Sequence, residues 1–211
     1  MSKMTSWAMC GILFSIMLAL GTSCTQVVPM GGDLSLRSRS GAGLVAGLGS
    51  EMSGAFPRGY YSVDGDQGLT LVLLEGTEEN PSRAVTMRMQ WRPRAGKTPI
   101  DRNATNATIH YAIFTGSPGG EVGVYSGAGF VFPRGTAGDE TLRLSLWDSS
   151  LRLLDRTNGF QDLLGQAILT GDLQVEHNPA QTRLIIAQLD RLLTDKLGYP
   201  RVVQVAPSHE D

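Results

Sequence analysis

The sequence predicts a mostly β fold, an antiparallel β-sandwich or barrel-like domain with one C-terminal α-helix packed on it. Three observations predict it. From Gly59 onward apolar residues recur with a period of two, which in a strand sends one set to a core and the other toward water. Turn-forming clusters punctuate these segments at close spacing, as in antiparallel sandwiches and barrels. Toward the C-terminal end the period changes to that of a helix.

In chain order, residues 60–63 and 69–74 read as strands joined by Asp64-Gly65-Asp66-Gln67-Gly68. Val85, Met87, Met89 and Trp91 then alternate with Thr86, Arg88, Gln90 and Arg92, and Ile109, Tyr111 and Ile113 with Thr108, His110 and Ala112. After Ser117-Pro118-Gly119-Gly120, residues 122–132 form a strand in which Gly127 and Gly129 predict bulges or bends. Arg134-Gly135-Thr136-Ala137-Gly138 turns into the strand carrying Leu142, Leu144 and Leu146; Asp148-Ser149-Ser150 reads as another turn before residues 151–155. Residues 166–176 form the last strand, with Gly171 inside it. For the helix, Asn178 caps, Pro179 suits the first turn, and Ile185, Leu189, Leu192, Leu193 and Leu197 make one stripe. Gly198 supplies a left-handed stop, and Pro200 forbids continuation.

The N-terminal residues have a different logic. Lys3 precedes an apolar run from Trp7 to Leu20, and the small residues Gly21, Thr22 and Ser23 lead to Cys24. A charged start, an apolar segment of about 7–15 residues and a small-residue exit make a secretory signal. The run falls short of the roughly 20 apolar residues that a spanning helix needs. Leu20-Gly21-Thr22-Ser23-Cys24 resembles the lipobox of bacterial lipoproteins, with Gly21 where that family usually has Leu. The resemblance implies a diacylglyceryl thioether on Cys24 and a cut just before it. An ordinary signal peptidase, which takes small residues one and three before its cut, would cleave at the same place.

The expected organisation is therefore a signal peptide over 1–23, lipid attachment and a flexible Gly/Ser-rich tether over 24–57, a β-rich domain over 58–206 and a frayed tail over 207–211. The expected address is the cell membrane or outer membrane, on the exported side. Cys10 falls in the removed part and Cys24 carries the lipid, so the chain's two cysteines leave no thiol for a disulfide, a metal or catalysis. A net charge of -2 gives no global attraction to nucleic acid.

Motifs for chemistry are partial. Asp64, Asp66 and Glu75 occupy the first, third and twelfth places of a calcium loop, but Gly68 and Leu69 stand where an oxygen ligand and a glycine belong. Ala95-Gly96-Lys97-Thr98 lacks the leading glycine of a phosphate loop, with Trp91 in its place. His110, His177 and His209 show no ligand spacing, and neither a cofactor nor a metal is expected. Asp148, Asp155 and Asp162 are the acids a hydrolase would draw on. Asn103-Ala104-Thr105 and Asn106-Ala107-Thr108 are glycosylation sequons in a eukaryotic secretory pathway, and otherwise a polar entry to the next strand.

One charge cluster stands out. Arg88 and Arg92 share the solvent face of their strand, and Arg94 and Lys97 extend it into a loop. Such a patch suits an anionic glycan, lipid or protein partner; positive charge on an edge strand would also block edge-to-edge pairing. The functional expectation is a lipid-anchored binding or structural module of the cell envelope. An envelope hydrolase acting on a glycan or lipid and a secreted small-ligand carrier are the alternatives.

Overall fold

Period-two patterning closes into a barrel. The structure, a computed structural model, describes residues 30–39, 51–65, 68–93, 104–116 and 120–200. Among these, nine strands precede one helix: β1 (Gly31–Ser38), β2 (Glu51–Phe56), β3 (Arg58–Asp64), β4 (Gly68–Gly76), β5 (Pro81–Met89), β6 (Ala107–Thr115), β7 (Glu121–Arg134), β8 (Thr141–Arg156), β9 (Gln166–His177) and α1 (Pro179–Leu197). β3 to β9 form a closed seven-stranded ring, with β1 and β2 as two extra strands. Neighbours are antiparallel except where β3 meets β9, a parallel pairing of Tyr60 with Glu176 and Tyr61 with His177.

β9 is the hub. Along one edge it pairs with β8, from Gln166–Arg152 to Glu176–Thr141. Along the other it pairs first with β1, Ala167 to Gln174 against Ser38 to Gly31, and then with β3. β1 turns back through β2, which leads directly into β3.

Alternation assigns the two faces. Leu69, Leu71, Leu73, Val85, Met87, Ile109, Tyr111, Tyr125, Val131, Leu142, Leu144, Leu169 and Leu173 point inward and are buried. Their close packing fills the interior with side chains. On the outer wall, Val72, Leu74, Ala84, Ala112, Val122 and Val124 receive Ile185, Ile186, Leu189 and Leu193 of α1. The helix ends follow the sequence: the Asn178 side chain accepts from the Gln181 amide at 3.1 Å, and Gly198 adopts φ 84°.

Both barrel ends are plugged. At one, the Tyr61 hydroxyl donates to the Asp139 carbonyl (2.5 Å) and accepts from the Gly138 amide (3.1 Å). At the other, Phe160 and Leu164 enter the core, and the Tyr125 hydroxyl donates to Asp162 at 2.6 Å. Beside that end Arg83 points inward, forms a two-pronged ion pair with Glu75 and donates to the Ser53 carbonyl of β2 at 2.9 Å. Its guanidinium lies 6.0 Å from the Phe56 ring centroid. Arg83 thus fastens β2 to the barrel.

Three differences from the sequence reading have clear causes. Residues 31–38 and 51–56 lie inside the expected tether, yet they form β1 and β2, because Leu34, Leu36 and Phe56 join the core. Residues 148–150 do not turn. β8 runs straight through them as one strand with a bulge, Asp148 taking φ 38°. The inward set shifts there from Leu142, Leu144 and Leu146 to Leu151 and Leu153, the effect of one extra residue in a strand. β5 is not an edge strand, since it pairs with β4 and β6 on its two sides. The expected irregularity at Gly129 and Gly171 is present, at the register shifts of β7 with β8 and of β8 with β9.

Candidate functional site

The bulge in β8 shapes the most distinctive surface. Phe130 and Phe132, two residues apart on β7, share its outer face, and Trp147 stands beside them on β8 just before the bulge. The ring centroids of Trp147 and Phe132 are 6.1 Å apart with planes 7° from parallel. Phe130 sits 6.3 Å from Trp147 and 6.0 Å from Trp91, which follows β5. Phe130 is buried beneath its neighbours, whereas Trp147 remains 46% exposed. An exposed tryptophan braced by other rings departs from the polar outer face expected of such a wall.

Arginines surround this strip. Arg134 and Arg143 face each other in register, and Arg143 Nε donates to the Gln174 side chain at 3.1 Å. Gln174 in turn donates to the Met30 sulfur at 3.7 Å. Farther along the same wall Arg37 pairs with Asp148 at 3.9 Å, both largely exposed. Beyond the bulge Arg39, Arg152, Ser126, Ser150 and Gln166 line a depression of about 200 Å³. The wall also carries Asp33, Glu176 and Asp172, the last accepting from the Ser145 hydroxyl at 2.6 Å.

Compared with known protein families, curated proteins and solved structures, the chain matches none. The site is therefore read from its own geometry.

Of the arginine and lysine patch expected from the sequence, Arg88 and Arg92 fall within the described residues. Arg88 is exposed on the outer face of β5, and Arg92 lies past the strand's end at Met89. Arg94, Lys97, His209 and Cys24 lie outside the described residues. The calcium-like set is split, because Asp64 closes the β3–β4 hairpin and accepts from Thr70, while Glu75 sits at the far end of β4 with Arg83. Among the described residues no cluster of three or more His, Cys, Asp or Glu could hold a metal ion. Asn106 has its side-chain amide wholly engaged with the backbone of Val131 and Trp91, so its sequon presents no free nitrogen.

The acids do not converge. Asp148 and Asp155 lie seven residues apart on β8, roughly 23 Å at the rise of a strand. Asp148 faces Arg37, Asp155 accepts from the Tyr199 hydroxyl, and Asp162 lies at the plugged barrel end. Burial pushes the Asp162 carboxyl up, but the Tyr125 hydroxyl and the Gly165 and Leu164 amides outweigh it and hold it below the usual range. An acid so held stays ionised near neutrality, opposite to the behaviour of a proton donor.

His110 behaves differently. It stands between Thr86 and Ser126 on the outer face of β6, and burial pushes its pKa below that of an ordinary histidine. A lowered folded-state pKa means stability that is complete above the free-histidine value and is lost as pH falls through the folded one. The wild type is expected to lose urea-midpoint stability between pH 7.5 and 5.0, and His110→Gln to lose less. Equal losses in the two proteins would show that His110 does not carry the dependence.

The sequence reading missed the aromatic strip. Phe130 and Phe132 announce a shared face by their spacing, but the face of Trp147 depends on where the bulge falls.

Proposed function

We propose that this chain is an exported, lipid-anchored binding or structural module of the cell envelope that acts without catalysis. The observation that carries this reading is the exposed aromatic strip on the wall of a barrel whose interior is filled. A filled interior suits display on the outside better than a carrier's enclosed cavity. Separated acids, one of them held ionised, give a hydrolase little to work with. Among the described residues no helix is long and apolar enough to cross a membrane, so the membrane address rests on the lipobox-like segment ending at Cys24.

Expression of the full chain in a bacterial host tests the proposal. The membrane fraction should yield a protein beginning at Cys24 with a diacylglyceryl modification, seen by mass spectrometry of the N-terminal peptide. Cys24→Ser should leave that fraction while keeping the wild-type circular dichroism spectrum. An unmodified thiol at residue 24, or a chain retaining residues 1–23, would overturn the anchor.

A further inference from the structure

Met30, six residues after Cys24, lies against the aromatic wall itself. Met30 touches Gln174, and Gln174 touches Arg143. Trp147 lies four residues along β8 from Arg143, roughly 13 Å at the rise of a strand. Six peptide units separate Cys24 from Met30, which reach about 21 Å at full extension. A lipid on Cys24 would therefore keep this wall close to the bilayer, without the long spacer that the glycine content of residues 24–57 suggested.

We infer that the outer wall formed by β7, β8, β9 and β1 lies on the surface of the bilayer that holds the Cys24 lipid. This inference rests on the anchor proposed above. Two features of the wall fit that occupant. Tryptophan settles at the boundary between hydrocarbon and headgroups, where its ring is half in apolar surroundings and its N–H in polar ones. Trp147 is the exposed ring of the strip, and Phe132 and Phe130 hold it upright. Arg37, Arg39, Arg134, Arg143 and Arg152 are distributed over the same wall, and guanidinium groups pair with lipid phosphates in two-pronged fashion. Asp148 offsets Arg37, and Asp33, Asp172 and Glu176 temper the charge, so attraction comes from rings and tether together.

The opposite wall is unsuited. α1 covers it together with the end of β7 at Val122 and Val124, away from Phe130 and Phe132, and the exposed residues of the helix include Arg183, Arg191 and Asp195 beside Leu184. A molecule lying on β7–β8–β9–β1 holds α1 away from the lipid. The orientation then has a defined top and bottom, with one surface against the membrane and one available to the envelope space.

Bromine-labelled acyl chains in phosphatidylethanolamine–phosphatidylglycerol vesicles test this by quenching tryptophan. Processed protein retains Trp91 and Trp147, so Trp91→Phe reports Trp147 alone. Adding Leu184→Trp to the Trp91→Phe protein, with Trp147 kept in place, reports the helix as the difference between the two proteins' emission. Both are reconstituted as lipidated chains, with the lipid verified by mass on the same sample. The expected result is strong loss of Trp147 emission and unchanged emission from the indole at position 184. With lipid present, equal quenching at both positions or none at Trp147 would overturn the docking while leaving the anchor intact. Absence of the lipid on Cys24 would instead overturn the anchor, and the orientation with it.

Discussion

Replacing Gly171 with valine is expected to destabilise the barrel by about 3 kcal/mol or more. Gly171 lies on β9 between Leu34 of β1 and Leu146 of β8, where three strands meet. Its φ of 153° lies in the region that favours glycine, and a Cβ there would overlap the Asp33 carbonyl oxygen and press on Leu34. Neither obstruction is a flexible side-chain end alone. Backbone strain and overpacking together cost about 3 kcal/mol or more. In a chain of this size that lowers the melting temperature by roughly 6–12 °C. Calorimetry and urea titration of Gly171→Val and Gly171→Ala would measure it. A midpoint within error of wild type for both would mean that the three-strand junction relaxes freely.

Asn106→Ala should rank next. The side chain is 1% exposed, and its amide serves several main-chain groups. Nδ2 donates to the Val131 carbonyl at 2.8 Å, the Val131 amide donates to Oδ1 at 2.8 Å, and Nδ2 reaches the Trp91 carbonyl at 3.4 Å. Its own main chain links Gln90 and Gly129. One residue thus ties the exit of β5 and the entry of β6 to the irregular part of β7. Alanine leaves the Val131 amide and carbonyl without partners in a buried place, at about 2–4 kcal/mol. Asn106→Asp keeps the acceptor and loses the donor, so it should restore only part of the stability. Full stability in Asn106→Ala would show that water replaces the amide there. Trp147 fluorescence gives a second reading, because the aromatic strip begins at Phe130, one residue before Val131.

The order in which these features became legible follows the range of the interactions behind them. The helix could be read from its own residues, as Asn178, Pro179, the apolar stripe and Gly198 all act within one segment. The alternating strands were legible for the same reason. β1 and β2 were not. Gly31-Gly32-Asp33-Leu34-Ser35-Leu36 carries few apolar residues and much glycine, and what orders it is β9, well over a hundred residues away. Strand formation of this kind belongs to the partner more than to the segment. Asp148 shows a subtler limit. Its positive φ is what a turn signal foresees, yet the chain uses it to kink one strand and keep going. The aromatic strip inherits that limit, since Trp147 reaches the face of Phe130 and Phe132 only with the strand continuous. Arg83 shares β5 with the exposed Arg88, yet its own strand position turns it inward to Glu75.

The central place of β9 also sets the timing of folding. Its partners are β8 immediately before it and β1 and β3 near the other end of the described chain. A polypeptide emerging N-terminus first can form the β3–β4 hairpin early, but the ring cannot shut before residue 177 has emerged. Long-range closure of this sort is slow. Until then the apolar faces of β3 to β8 stand open and β1 has no strand to join except β2, a condition that invites aggregation and proteolysis. Chains truncated before Gln166 should therefore be cleared in the compartment where they emerge, and full-length chains should become protease-resistant in a single late step.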